Sequence, residues 1–523
     1  MNKTILIASI TLCALLLPFP AALSQGEDIT KLIDAGNEAY KQKNYDSAQQ
    51  NFNNALTQLQ SLNKDTRLGA CLNGLGLTYE AEGKKDLALD TYKKALAAKE
   101  ASVGAADIAL VPIINNLAQL ERSMGKVADE ELHYKRALAI REATQGVNGS
   151  DIAASLNNLA GIYREQANFA LAEPLLTRAL TIIEKSAGAD NPAVAVALNN
   201  LAVIFRGEKK LKDAESLYAR ALAIRVKSFG EQSQETAASL NNLARVCREE
   251  ERFEDAEPYL VRAVAIIEKA EPDSKDLVVA LDNLALCYKE EEKYPEAVAA
   301  YQRAISLGKK VYGENSYALA PALTNLALIY NLQGKDEEAE PLMKQTVDLA
   351  EKTLGENDPN LATAIGNLEE LYRQHGKFEE AEAMLKRTLA IRMNSLGKDA
   401  PEVATNENDL ALVYREQGKL ADAEPSFKAA VAVSEKNANT HPGDLANCLN
   451  NLAKLYRDQD RFAEAEPLYK RSLELREKTF GGNDSSVAAS LRNYAILLRK
   501  MKRDSEADTL DERAEKIENS LEK

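Results

Sequence analysis

Two kinds of side chain recur at fixed positions and are the best candidates for binding chemistry. Asparagines return every 42 residues, with one step of 41, and an arginine or lysine lies six positions after most of them. An amide donates and accepts hydrogen bonds, and a guanidinium pairs with carboxylates. The candidate binding residues are Asn116, Asn158, Asn200, Asn242, Asn283, Asn325, Asn451, Arg122, Arg164, Arg206, Arg248, Lys289, Arg415 and Arg457.

Residues typical of catalysis or metal binding lack the necessary spacing. His133, His375 and His441 are far apart in the chain, so no zinc site is predicted. The carboxylates follow the 42-residue period, which indicates solvated helix faces rather than acid–base pairs. We therefore predict no catalytic residues, no metal and no cofactor, and a protein that is not an enzyme.

Four cysteines lie beyond the N-terminal segment, and each replaces an apolar residue. They are Cys71, Cys247, Cys287 and Cys448. Buried thiols are the simplest interpretation. Cys247 and Cys287 occupy nearly equivalent positions in successive repeats, so a disulfide in an oxidising compartment is the alternative.

Composition and charge narrow the class of protein. Of 523 residues, 45% are hydrophobic and 28% are charged, as in folded soluble proteins. Acidic residues outnumber basic ones 80 to 65, and the net charge of -15 repels phosphate backbones, which argues against nucleic-acid binding.

The N-terminus resembles an export signal. Lys3 precedes an apolar run from Ile5 to Leu17, and small residues at Ala22 and Ser24 suit a signal peptidase. We expect cleavage after Ser24 and a periplasmic or secreted protein; a retained anchor is the alternative. No later segment is apolar enough to predict a membrane span.

Repeats of 42 residues organise nearly the whole chain. The string Leu156-Asn157-Asn158-Leu159-Ala160 recurs at Leu198 to Ala202 and Leu240 to Ala244. In each unit, apolar residues at helical spacing predict a first helix, and a short turn and a second helix follow. Small residues form two columns in the second helices, represented by Ala172 and Ala179, and would allow helices to approach closely.

Proline and glycine agree with two helices per unit. Pro174 and its equivalents Pro258, Pro341, Pro425 and Pro467 are expected in the first turn of the second helix, where a missing N–H is tolerated. Glycines, including Gly188, Gly355 and Gly397, are expected to end the second helices in a left-handed conformation.

Twelve units are predicted, after a signal peptide at 1–24. Their expected bounds are 29–62, 69–104, 111–146, 153–188, 195–230, 237–271, 278–313, 320–355, 362–397, 404–439, 446–481 and 488–521, the last with a C-terminal capping helix.

The repeats resemble the tetratricopeptide repeat (TPR) family, in the 42-residue variety found in kinesin light chains and related bacterial proteins. The resemblance rests on strings such as Ser155 to Tyr163 and Phe253 to Leu260, and it covers about residue 29 to about residue 518. It implies an all-α fold, an α-solenoid in which about twelve helix pairs form a right-handed superhelix. The first helices would line a concave groove that binds peptides or proteins. Because the repeats begin directly after the signal peptide, with no heptad segment, a motor role is not expected.

A helical wheel places Asn157, Asn158, Arg164 and Glu165 opposite the buried stripe, on the groove face. In one interpretation the amides bind the backbone of a partner, and the basic residues bind its acidic side chains. In the other, the asparagines bridge neighbouring first helices, and each arginine pairs with an acid of the adjacent unit. Nine basic positions face only five acids, so the second interpretation explains the arginines less well.

Residues 362–411 depart from the pattern. Glu369 stands in a column of small buried residues, Gly366 replaces an asparagine, and Glu407 replaces a buried leucine. A polar group at a packed position is costly unless it is satisfied. This stretch is either a hinge or specialised contact surface, or the result of drift in a tolerant array.

The predicted function is a protein–protein interaction scaffold that binds an acidic peptide or protein segment through the asparagine and arginine columns. The alternative is a structural spacer of the cell envelope that acts through its convex face or its ends. The sequence does not specify the partner or the oligomeric state.

Overall fold

The fold is built entirely from helices in the part of the chain that the computed structural model describes. That part is residues 19–59, 62, 65–146, 149 and 151–521, with side chains from Asp28 onward. It contains 24 α-helices, two short 3-10 helices and no strand. Residues 1–18 of the predicted signal peptide lie outside the described residues, and the expected cleavage point after Ser24 falls within the first helix.

The helices follow one another in twelve pairs, so a first and a second helix alternate along the chain. Their bounds are α1 Phe19–Lys41, α2 Tyr45–Leu59, α3 Arg67–Ala81, α4 Lys85–Val103, α5 Val111–Ser123, α6 Val127–Gln145, α7 Ile152–Glu165, α8 Phe169–Ala187, α9 Pro192–Gly207, α10 Leu211–Phe229, α11 Gln234–Glu249, α12 Phe253–Ala270, α13 Lys275–Glu290, α14 Tyr294–Tyr312, α15 Ala320–Leu332, α16 Asp336–Thr353, α17 Pro359–Gln374, α18 Phe378–Leu396, α19 Pro401–Glu416, α20 Leu420–Lys436, α21 Pro442–Asp458, α22 Phe462–Phe480, α23 Ser485–Lys500 and α24 Asp504–Leu521. The all-α solenoid expected from the sequence is confirmed.

Two compact units divide the chain at the turn between α11 and α12. Unit 1 is Met1–Glu251 and unit 2 is Arg252–Lys523. Within each unit a helix packs mainly on the helices directly before and after it in sequence. None of the described helices combines the length and the apolar character that crossing a membrane requires.

The predicted small-residue columns form the closest packing positions. Ala172 and Ala179 in α8 are completely buried, and the first-helix stripe of Leu156, Leu159 and Ala160 is almost completely so. A methyl group at these positions lets two helix axes approach, since a larger side chain would hold them apart. The four described cysteines are likewise buried, each as a thiol, as the simpler interpretation predicted.

The turn inside every helix pair contains one residue with positive φ. The twelve residues are Lys43, Gly83, Gly125, Ala167, Lys209, Glu251, Glu292, Gly334, Gly376, Gly418, Asp460 and Lys502. Only five are glycines, although a left-handed residue with a Cβ costs about 1–2 kcal/mol. The packing of the two helices therefore dictates this turn and overrides local preference.

The expected left-handed helix ends are wrong in detail. Gly188 and Gly397 have φ near 90° but ψ of 153° and 155°, an extended region that side chains with a Cβ essentially never adopt. Gly355, by contrast, does not have a positive φ. There the helix ends at Thr353, and the next residue, Leu354, takes an extended conformation.

The proline prediction is also wrong. Pro174 is the sixth residue of α8, beyond the first turn, and its four equivalents are the sixth residues of their helices. Each proline therefore removes a real hydrogen bond to the carbonyl four residues earlier. For Pro174 this carbonyl belongs to Ala170, an exposed residue, so water can satisfy it.

We predict that Gly397→Ala destabilises the protein, because a residue with a Cβ would have to adopt a φ of 89° with ψ of 155° at this position. The expected loss is about 1–3 kcal/mol. Urea unfolding followed by circular dichroism measures it. Gly355→Ala, at the equivalent position of the preceding repeat and also in open space, is the matched control and should be close to neutral. Equal losses in the two variants would contradict this assignment.

Candidate binding groove

The first helices present their polar residues on one face, as the helical wheel predicted. In α7 the stripe of Leu156, Leu159 and Ala160 faces the second helix, while Asn158 and Arg164 are exposed on the opposite side. We call this side of the first helices the groove face. Because residues 42 apart occupy equivalent places, the asparagine and arginine columns run along it within each unit.

Some asparagines bridge adjacent first helices. Asn116 donates to Asn73 Oδ1 at 3.0 Å, and Asn451 donates to Asn408 Oδ1 at 2.9 Å. Asn493 makes the same contact with Asn450 at 3.3 Å. Each bond joins a residue to one 43 positions earlier. At these places the amide has a structural role, as the bridging interpretation proposed.

Other asparagines of the candidate set do not form this bridge. Asn158 and Asn200 make no side-chain hydrogen bond with any described residue. Asn115 Oδ1 and Asn157 Oδ1, the oxygens that could accept hydrogen bonds from these two amides, are buried and have no hydrogen-bond partner. Asn242 instead accepts a bond of 2.7 Å from Arg245. Asn283 and Asn325 lie half-buried on α13 and α15.

Most basic residues of the candidate set have an acidic neighbour. Arg122 reaches Glu165 in the next repeat, and Arg206 lies 3.4 Å from Glu249 in the same relation. The shortest contacts of Lys289, Arg415 and Arg457 are with the acid that follows each in sequence: Glu290 at 3.1 Å, Glu416 at 3.1 Å and Asp458 at 2.9 Å. Arg248 is half-buried on α11. Most of these ion pairs are solvent-exposed, where each contributes about 0–1 kcal/mol.

A cavity of 240 Å³ on the groove face of unit 1 brings the two columns together. Its polar lining combines two cations with three amides, and Leu176, Ile204 and Ala160 form its apolar part. The polar lining residues are Arg122, Asn157, Asn158, Arg164 and Asn200. The lack of a side chain at Gly161 helps to open this space, since nothing lies within 4 Å of the place a Cβ would take.

Two cations on the groove face were not among the predicted site residues. Arg245 and Lys454 occupy the column of Gly161, which is otherwise mainly small or apolar. The pKa of Arg245 is lowered by loss of solvation and then by the nearby charge of Arg206. Desolvation also lowers the pKa of Lys454, followed by Arg415 and Arg457. The signal in the sequence was a basic residue in a column whose other members are mainly small or apolar.

The helix pairs define an α-solenoid of the repeat type. Tetratricopeptide repeat models match residues 32–101, 151–225, 194–269, 276–352, 318–394, 376–436 and 444–519, and a second such model matches 113–149. The chain therefore belongs to the tetratricopeptide repeat family, whose members are in general non-enzymatic scaffolds for protein–protein interaction.

Solved structures include similar repeat proteins. One is BtubC (BKLC) from P. vanneervenii, 20% identical, with a TM-score of 0.39 over 45% of this chain and 92% of that one. Another is a putative kinesin light chain from Podosopora anserina with nearly identical TPR-like repeats, 23% identical, with a TM-score of 0.36 over 39% of this chain and 98% of that one. A comparison with curated proteins finds no match.

The irregular stretch in unit 2 keeps its helices but has a polar interior. Glu369 is only 7% exposed, and its Oε1 accepts no hydrogen bond. The pKa of Glu369 is raised to about 7, first by burial and then by the charge of Asp409, while Arg373, 3.7 Å away, opposes the shift. The carboxyl is thus protonated in the folded protein over a pH range where it would be ionised in the unfolded chain.

We predict that Glu369 makes stability fall as the pH rises. Between the ordinary pKa of Glu and about 7, the native state holds a proton that the unfolded state has lost, so the loss grows through this window and is constant above it. Glu369→Gln should remove a penalty on the order of 3 kcal/mol at pH 8 and little at pH 4. Urea unfolding against pH measures this.

The control is Glu380→Gln, an exposed position on α18 of the same pair. It should shift stability by about 0.5 kcal/mol or less at either pH. A gain for Glu369→Gln that is independent of pH would contradict the assignment.

Proposed function

We propose that the protein is a scaffold that binds an acidic segment of a partner protein on the groove face of unit 1. The observation that carries this proposal is the cavity in which Arg122 and Arg164 meet Asn157, Asn158 and Asn200. Its 240 Å³ corresponds to about eight water molecules at about 30 Å³ each, which is room for one side chain with part of its backbone.

The electrostatics favour an anionic guest. The side chains of Arg122 and Glu165 are 44% and 47% exposed, so their ion pair is weak and easily exchanged. A partner carboxylate that enters the cavity would be less solvated and would interact with Arg122 and Arg164 together. Nearby, the charge of Arg206 disfavours that of Arg245, and an anion would relieve that repulsion.

The hydrogen-bonding capacity of the cavity suits a peptide backbone. Asn157 Oδ1 is buried and accepts nothing, and a buried acceptor without a donor costs about 1–3 kcal/mol. A backbone N–H of the partner would satisfy it. The amides of Asn158 and Asn200 can donate to backbone carbonyls in the same segment.

Unit 2 offers related chemistry on its own groove face. Arg415, Lys454 and Arg457 are close enough to lower the pKa of the lysine, which makes them a second candidate contact for acidic side chains. We further propose that the protein is exported and meets its partner in the periplasm or outside the cell. A role as an envelope spacer would instead use the faces away from these cations.

We predict that the double variant Arg122→Gln with Arg164→Gln lowers the affinity for a labelled hexapeptide with two central acidic residues. The expected loss is about tenfold or more, since two charge-assisted contacts are removed. Fluorescence anisotropy measures it, and affinity of the unaltered protein should also fall with added salt.

The matched control is Arg136→Gln with Arg220→Gln. These arginines pair with Glu100 and Glu184 on second helices. Replacing them changes the net charge by the same amount, but away from the cavity. If both double variants lose the same affinity, net charge and not the groove face explains binding. If neither loses any, the outer faces become the better candidate for contact.

We predict that the exported protein begins at Gln25. Intact-mass measurement of the protein recovered from outside the cytoplasm should show loss of the first 24 residues. Ala22→Lys places a charge where a signal peptidase requires a small residue, and it should block processing. Recovery of soluble exported protein that still starts at Met1 would contradict the proposal.

A further inference from the structure

A second cavity lies entirely within unit 2 and carries no charge in its lining. It has a volume of 430 Å³ and lies between the first helices α15 and α17, with α16 beneath. Apart from alanines and one proline, the lining is polar and neutral. These polar residues are Tyr317, Thr324, Asn325, Thr346, Thr363 and Asn367. The cavity therefore differs from the cationic cavity of unit 1.

The two asparagines in this cavity do not form the bridge that some other members of the asparagine column form. The bridges described above join an asparagine to an amide 43 positions earlier. For Asn367 that position is Thr324, whose shorter side chain lines the cavity itself. For Asn325 it is Asp282, whose Oδ1 is buried without a partner. In the described structure neither Asn325 nor Asn367 makes a side-chain hydrogen bond.

Three of the four hydroxyl groups in the lining already donate, Tyr317 to the carbonyl of Asn360 at 3.4 Å, so the amides and Thr324 are the remaining donors. Thr346 donates to the carbonyl of Leu342 at 3.1 Å, and Thr363 donates to that of Pro359 at 3.1 Å. Their oxygens can still accept, but their protons are used. A ligand therefore meets free amide N–H groups, several acceptor oxygens and apolar methyl groups, but no compensating charge.

We propose that this cavity binds the side-chain carboxamide of an Asn or Gln residue in a partner segment. The inference rests on the proposed function only in that the groove face receives a protein segment. A primary carboxamide has a donor and an acceptor side by side, so it can form two hydrogen bonds with one asparagine amide. It would replace the amide that Thr324 does not supply to Asn367.

Other ligands fit this chemistry less well. An ionised carboxylate would lose solvation without gaining a cation. The acetamido group of an amino sugar is a trans secondary amide, so its N–H and C=O point in opposite directions and cannot both bond one asparagine. The volume equals about fourteen water molecules at about 30 Å³ each, which leaves room for flanking backbone of a peptide.

The test uses the full protein with Arg122→Gln, Arg164→Gln, Arg415→Gln and Lys454→Gln, so that neither of the cationic contacts proposed above for acidic side chains contributes. The probe is a labelled hexapeptide with two central glutamines, compared with its isosteric version containing glutamates. We expect the glutamine peptide to bind about tenfold or more tightly than the glutamate peptide. The glutamine peptide should bind the unaltered protein equally well, which separates this result from that of the proposed function.

Two variants locate the site. Thr324→Asn supplies the missing amide and fills the cavity. Asn367→Ala removes the amide that would bind the ligand. Each variant should bind the glutamine peptide about tenfold more weakly. Thr324→Asn should fold normally, because asparagine occupies the equivalent position at Asn73, Asn408 and Asn450. A thermal melt checks this. Asn360→Ala, at an exposed position of α17 outside the cavity, is the control and should bind as the parent does.

Three outcomes would overturn the proposal. One is no binding of the glutamine peptide by the parent protein. Another is unchanged binding by a folded Thr324→Asn variant. The third is displacement of the probe by an N-acetylglucosamine disaccharide at lower concentration than by unlabelled glutamine peptide, which would assign the cavity to a sugar instead.

Discussion

The close approach of helices at the alanine columns is the constraint on which the rest of the structure depends. Ala172 and Ala179 are completely buried, and their equivalents recur at 42-residue intervals. Since a small residue lets neighbouring helices approach closely, successive helix pairs within each unit pack in a similar way. The regular columns of the groove face follow from this repetition, because equivalent residues can align only when the packing repeats.

Contacts between residues 43 positions apart then decide what the groove face can do. Asn116 donates to Asn73, and Asn451 donates to Asn408, so these amides have part of their hydrogen-bonding capacity occupied within the protein. Where the earlier partner is Thr324, the same column presents an unsatisfied amide and a cavity. On our proposal, the array gains a binding site in unit 2 at a position where an internal partner is missing and the fold tolerates its absence.

The fold also tolerates the buried carboxyl of Glu369, for a physical reason that can be stated. A carboxyl in a packed column is expensive when ionised, and the raised pKa shows that the native state avoids much of this cost by keeping the proton. Because each repeat contacts mainly its neighbours, the penalty stays local and the helices on both sides keep their lengths. The array can therefore carry polar substitutions that a single compact core would not accept.

The amino-acid sequence by itself determined the helix pairs, the buried stripe and the groove face, because these follow from short-range periodicity that any helix must obey. Only the tertiary structure decided that Asn116 is bridged while Asn158 is not, since a hydrogen bond depends on tenths of an ångström between neighbouring helices. The same holds for Arg245 beside Arg206, and for the extended conformation of Gly397. Periodicity specifies which face a residue occupies, whereas its partners there depend on how adjacent helices pack.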